Sequence, residues 1–218
     1  PRAAPKCLAR AKRTAGPHAM IDLSHKTFFI FGCGNRPKLI CTDHGLIRWP
    51  GSETGVEFSA HKLSIDPSSY EVAIDTTADT HLVIGEDERG IWLTQDGKRT
   101  CLAGSAVALP TFENHPQRDL LRVLHHEILV NVVDGKPVPN LFVYDRPWYR
   151  DAAMVAMVLE QTGNTDLVRN WIVSLRDPFD RNNGGQEEPD NLGQVLYLVS
   201  LVSDASHPIV ETVLEAAR

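Results

Sequence analysis

A change of hydrophobic period near Pro110 limits what this chain can fold into. Between residues 27 and 110, apolar residues come in short runs rich in β-branched and aromatic side chains, at 27–31, 38–41, 45–49, 70–74, 81–84 and 91–94. Clusters of Gly, Asp, Pro and Ser separate these runs at the spacing of antiparallel β-structure. Gln95-Asp96-Gly97-Lys98 predicts a tight hairpin, because Asp-Gly accepts the positive φ that such turns require. Ile91 and Leu93 then face one way and Trp92 the other.

After Pro110 the period is helical. Asn114-His115-Pro116 supplies a cap and an early proline, and the segment to about residue 133 carries Leu120, Leu121, Leu124, Ile128 and Leu129 on one face. His125, His126 and Glu127 lie within it. The residues four positions after the two histidines are Leu129 and Val130, so the paired-histidine zinc motif is absent. Hydrogen-bonded core or rim histidines are expected there, and no metal site.

The remaining helices form two pairs, 150–160 with 166–175 and 190–202 with 209–217. The first helix of each pair is nearly all apolar, as in the run 152–159, and reads as buried on most sides. The second carries a single stripe: Leu167, Val168, Trp171, Ile172 and Leu175 in one pair, and Ile209, Val210, Val213, Leu214 and Ala217 in the other. The expected fold class is α+β, an N-terminal antiparallel β-sandwich-like region followed by αα-hairpins. The boundaries are a leader at 1–24, a β-rich domain at 25–112 and a helical-hairpin domain at 113–218.

Composition narrows the partners. The 218 residues suffice for a substantial core, and a net charge of -6 argues against a general affinity for nucleic acid or anionic membrane. No span reaches membrane-crossing length. Cys7, Cys33, Cys41 and Cys101 lack the paired spacing of a zinc site, and reduced structural thiols are expected. The leader holds Arg2, Lys6, Arg10, Lys12 and Arg13 before its first acid, Asp22, without the apolar core of a secretory signal. It reads as a disordered tail, or as sequence upstream of a start at Met20, which would make the protein cytoplasmic. Gly32-Cys33-Gly34 suggests a dinucleotide loop, but the third glycine is missing and Pro37 stands where the phosphate-binding helix should begin. No cofactor is expected.

The functional candidates lie in the helical half. Trp148-Tyr149-Arg150-Asp151 opens one apolar helix. The polar segment 176–189, with Asp177, Asp180, Arg181, Asn182, Asn183, Gln186, Glu187 and Glu188, feeds the next at Asp190-Asn191. Both clusters should line one rim, and long polar loops in compact domains are often functional. Glu187 or Glu188 is the candidate catalytic acid, since adjacent acids beside Asp190 raise one another's pKa when partly buried.

On Trp148-x-Arg150-Asp151, the hairpin period and Gln186-Glu187-Glu188-Pro189-Asp190-Asn191, residues 115 to 218 resemble the six-hairpin glycosidases, the (α/α)6 toroids that include glucoamylase-like enzymes. The resemblance implies a carbohydrate substrate held at the N-terminal ends of inner helices. Arg150 and Asp151 would hold sugar hydroxyls, Trp148 or Tyr149 would provide a stacking platform, and Asp190 and Asn191 would stand at the matching place of the next helix. Two hairpins do not close such a ring, so the chain is expected to be a fragment of a glycoside hydrolase or phosphorylase rather than a smaller helical module that resembles part of a ring, and whether the second carboxylate lies beyond Arg218 is left open. A non-catalytic helical-repeat interaction module and a sugar-binding pseudoenzyme are the alternatives. Convergence of Trp148, Arg150, Asp151, Glu188 and Asp190 on one concave pocket would favour the enzyme.

Overall fold

The computed structural model describes residues 26–51 and 54–218. The expectations for the leader and for Cys7 therefore lie outside the described residues. The chain is α+β and divides into two compact units, one ending at His126 and one beginning at Glu127.

The first unit contains two antiparallel meanders. One orders β1 (Thr27–Phe31), β2 (Lys38–Thr42), β3 (Gly45–Trp49) and β4 (Thr54–Glu57); the other orders β5 (Ala60–Asp66), β6 (Glu71–Thr76), β7 (His81–Asp87), β8 (Gly90–Gln95) and β9 (Lys98–Gly104). Period-two alternation fixes which side of each strand is buried. Val72, Ile74 and Thr76 point inward on β6, as do Leu82, Ile84 and Glu86 on β7. Phe31, Leu39, Cys41 and Leu46 from the first sheet join Val72, Ile74, Leu82, Ile84 and Ile91 from the second in one buried cluster.

The β8–β9 hairpin forms at Asp96-Gly97, with φ of 51° and 71° and Gln95 paired to Lys98. The segment Gly32-Cys33-Gly34 joins two antiparallel strands, β1 and β2, so no strand-to-helix turn for a dinucleotide exists there. Cys33 and Cys41 are buried free thiols, whereas Cys101 is disulfide-bonded and not reduced.

Helix α1 (Arg118–Val130) begins two residues after Pro116 and is turned differently from its expected face. Leu120 and Leu124 are about half exposed, while His125, His126, Leu129 and Val130 are buried. The helix ends before residue 133, where Asp134-Gly135 builds a second two-residue hairpin between β10 (Val132–Val133) and β11 (Lys136–Pro137).

The second unit holds α2 (Tyr149–Gln161), α3 (Arg169–Val173), α4 (Asp190–Ser200) and α5 (Pro208–Ala216). Helix α2 packs on α4, and α4 also meets α3 and α5. Pro208 opens α5 behind His207, whose ring Nδ1 accepts the Ile209 amide at 3.3 Å.

The toroid resemblance is not upheld. The fold is mostly antiparallel sheet, with five α-helices among the described residues, far fewer than a ring of six hairpins contains. The expected outer helix at 166–175 breaks into a 3-10 turn, Thr165–Leu167, and the short α3. The supposed inner helix α2 is buried on one side only, since Met154 and Met157 are 65% and 50% exposed. Methionine is flexible and tolerated at surfaces, and a run of apolar letters does not fix how many sides of a helix are covered. None of the helices described is long and apolar enough to cross a membrane.

Candidate functional site

In the helical unit, the starts of α2 and α4 are linked by ion pairs. Arg150 donates through Nε and reaches with Nη2 to Asp190 Oδ2, at 3.0 and 2.9 Å, and Nη2 contacts Glu188 Oε1 at 3.3 Å. Asn183 adds a long contact to the same Glu188 oxygen at 3.4 Å. The Arg150 guanidinium holds the Asp190 carboxyl below the usual carboxylate range, and Asp190 in turn raises Arg150. Sequence-distant segments thus meet as a charged rim. It is open: the Arg150 and Asp190 side chains are 51% and 46% exposed and Glu188 is 20% exposed.

The other candidates divide by burial. Trp148 is half-buried and its ring meets exposed Tyr144 edge-on, with centroids 6.1 Å apart. Asp151 is half-buried and takes no part in the ion pairs of Arg150. Glu187 is exposed and bound to Arg181 at 2.7 Å, an arginine that also pairs with Asp177. Tyr149 faces inward: burial pushes its hydroxyl up to about 12, and that hydroxyl donates to the Asp177 carbonyl at 2.8 Å. Asn191 is also buried, accepting the Asp180 amide at 3.2 Å and donating to Gln194 at 3.1 Å.

Asp180, expected at the rim, instead shapes the loop. Its Oδ2 accepts the Tyr149 amide at 2.7 Å, so it caps α2 from a segment remote in sequence and satisfies one of the free amides at the helix start. Asn182 donates to the Pro147 carbonyl at 2.8 Å. Tyr149, Asp180, Asn182 and Asn191 therefore hold the loop in place, while Trp148, Arg150, Glu188 and Asp190 present groups to solvent.

The first unit carries a buried polar cluster that motif reading did not assemble. Glu86 Oε2 accepts the Gly32 amide at 2.8 Å, and Oε1 accepts the Cys33 amide at 2.7 Å and Arg36 Nη1 at 2.8 Å. Arg36 also donates to the Ser105 carbonyl, at 3.0 Å from Nε and 2.6 Å from Nη2. Lys38 donates to the Gly34 carbonyl at 2.7 Å and to that of Gly32. Burial lowers the Lys38 ammonium to about 8 and raises the Cys33 thiol, which the Glu86 charge raises further.

Gly32 is required there because its φ is 120° and a Cβ would sit 2.6 Å from the Pro37 carbonyl oxygen. His126 closes the cluster from α1. The sequence did carry one clue: Glu86 continues the inward row of Leu82 and Ile84, and an acid at a core position demands partners. Comparison with protein-family models, curated proteins and solved structures finds no match for this chain.

Proposed function

We propose that the rim at the starts of α2 and α4 binds a carbohydrate, as the substrate-holding part of a glycoside-processing enzyme. The observation that carries this reading is the bridge from Arg150 to both Glu188 and Asp190, which joins two helix starts into one polar surface beside Trp148. The Asp190 carboxyl, held below the usual range by the guanidinium, can accept sugar hydroxyl hydrogens, and charge-assisted bonds of this kind are the stronger ones. Trp148 and Tyr144 offer apolar ring surface for a sugar face.

The same geometry bears on chemistry. Glycoside cleavage needs one carboxyl held protonated, usually by apolar surroundings. Glu187 and Glu188 each pair with an arginine rather than lying in apolar surroundings, an arrangement that suits holding a sugar. A second reading, an interaction module, is favoured by the exposure of Met154 and Met157 on α2.

Titration of the full chain with neutral mono- and oligosaccharides, followed by calorimetry, tests the proposal. Saturable binding is expected, weakened about 10- to 100-fold by Arg150→Ala, the equivalent of one charge-assisted hydrogen bond. Trp148→Ala should weaken it as well. Binding unchanged in Arg150→Ala, or no sugar bound by folded wild-type protein, would refute it.

A further inference from the structure

The donor atoms of Cys33, Glu86 and His126 lie within 4.8 Å of one another, and all three residues are buried. They come from the β1–β2 loop, the inward row of β7 and the later turns of α1. A thiol, a carboxylate and an imidazole in this combination match the ligands of a borderline-soft dication. The His126 ring stacks on Phe29 and Tyr70, with centroids at 4.9 and 4.8 Å and planes inclined by 29° and 28°. Its Nε2 is buried without a hydrogen-bond partner and stands 4.0 Å from Glu86 Oε2, beyond hydrogen-bond reach. Buried ring nitrogens ordinarily find a partner, so this one invites a ligand between itself and the carboxylate.

We propose that Cys33 Sγ, a Glu86 carboxylate oxygen and His126 Nε2 bind a single divalent transition-metal ion of the zinc class. Glu86 Oε2 accepts the Gly32 amide at 2.8 Å, and a carboxylate oxygen keeps a further lone pair with which to bind a metal. The neutral imidazole is the form that ligates. Three protein ligands leave one tetrahedral position open.

The surrounding charges dictate how the ion is held. Arg36 is already paired to Glu86, and Lys38 lies in the same cluster, so one carboxylate cannot offset a dication there. A second anion is needed, and Cys33 supplies it. Its S–H bond is replaced by an S–metal bond, and the proton passes to buffer. Without the thiolate the site should fail.

Cobalt(II) is the probe, because thiolate-bound cobalt absorbs by sulfur-to-metal charge transfer. Full-length protein stripped with chelator is titrated with cobalt while folded. It is also refolded in the presence of cobalt with its disulfide intact, so slow entry into a buried site is not mistaken for absence. The expected result is a charge-transfer band saturating at one ion per chain and displaced by zinc. The band should be lost in Cys33→Ser and kept in Cys41→Ser, which removes the other buried free thiol. His126→Asn should weaken binding by about tenfold or more, at least the loss typical for a supporting residue of a metal site. No band in wild-type protein of native circular dichroism under either regime would overturn the proposal. So would a band that survives in folded Cys33→Ser.

Discussion

Glu86 accepts from two main-chain amides of the β1–β2 loop and from the Arg36 guanidinium. Removing one partner of a buried ion pair leaves an uncompensated charge, at a cost of about 3–5 kcal/mol. Glu86→Ala is expected to lose that much in denaturant unfolding, because it orphans Arg36 and both amides together. Arg36→Met should cost less, since the carboxylate keeps the Gly32 and Cys33 amides. The double variant should not recover wild-type stability, because the two amides stay orphaned. Equal losses for the two single variants would mean that the amides contribute nothing, contrary to this account. Arg36→Lys would not be conservative: the guanidinium reaches Glu86 with one nitrogen and Ser105 with two others, and a single ammonium lacks that spread.

At the scale of elements, glycines separate conformational from steric demands. Gly97 has φ of 71° and nothing within 4 Å of a would-be Cβ, so Gly97→Ala meets only the left-handed penalty of roughly 1–2 kcal/mol. Gly90 has no such φ, but its Cβ would fall 2.4 Å from the Ala103 carbonyl oxygen. Gly90→Ala must therefore push β8 and β9 apart, and thermal unfolding should show the larger loss at Gly90. A reversed order would contradict the steric reading. These elements also show what local sequence can reveal. Asp96-Gly97 announces its hairpin because the turn chemistry is complete within four residues. Asp134-Gly135 carries the same signal, yet the helical pattern running into it from α1 masks it. The hydrophobic period does not reveal β4 and β5, and β9 is implied only by its hairpin turn, because these strands are polar or exposed over much of their length, β5 and β9 especially, and a strand that buries little leaves no such signal. At the rim, charge and aromatic content gave the positions away. The division into inward holders, Tyr149 and Asn191, and outward groups, Arg150 and Asp190, was not legible, since it depends on the capping of α2 by Asp180.

Across the whole molecule, the α+β class was readable from the change of period, whereas the number of helices and their exposed sides were not. The buried histidines make stability a function of pH. His125 and His126 are lowered to about 4, mainly by burial, from an ordinary value near 6.5. Between those values the unfolded chain binds more protons than the folded one, so stability falls as pH drops. The contribution of neutral burial is full above about 6.5 and lost by about 4. Denaturant midpoints measured in chelator from neutrality down to about pH 4 should decline across that window, and less steeply in His126→Phe, which keeps the stacked ring without titrating. An identical slope in the variant would remove His126 from the account.

The loop between β1 and β2 has a final consequence, one of time rather than energy. Its Gly32 and Cys33 amides are outside any strand ladder, yet a buried carboxylate on β7 holds them at 2.8 and 2.7 Å. Loops normally exchange their amide hydrogens through small local openings. These two can exchange only when β7 lets go, so in deuterium exchange they should be as slow as the Leu82 to Ile84 strand core and far slower than the Asp96-Gly97 turn. A connection irregular in shape would then keep the clock of the sheet that grips it.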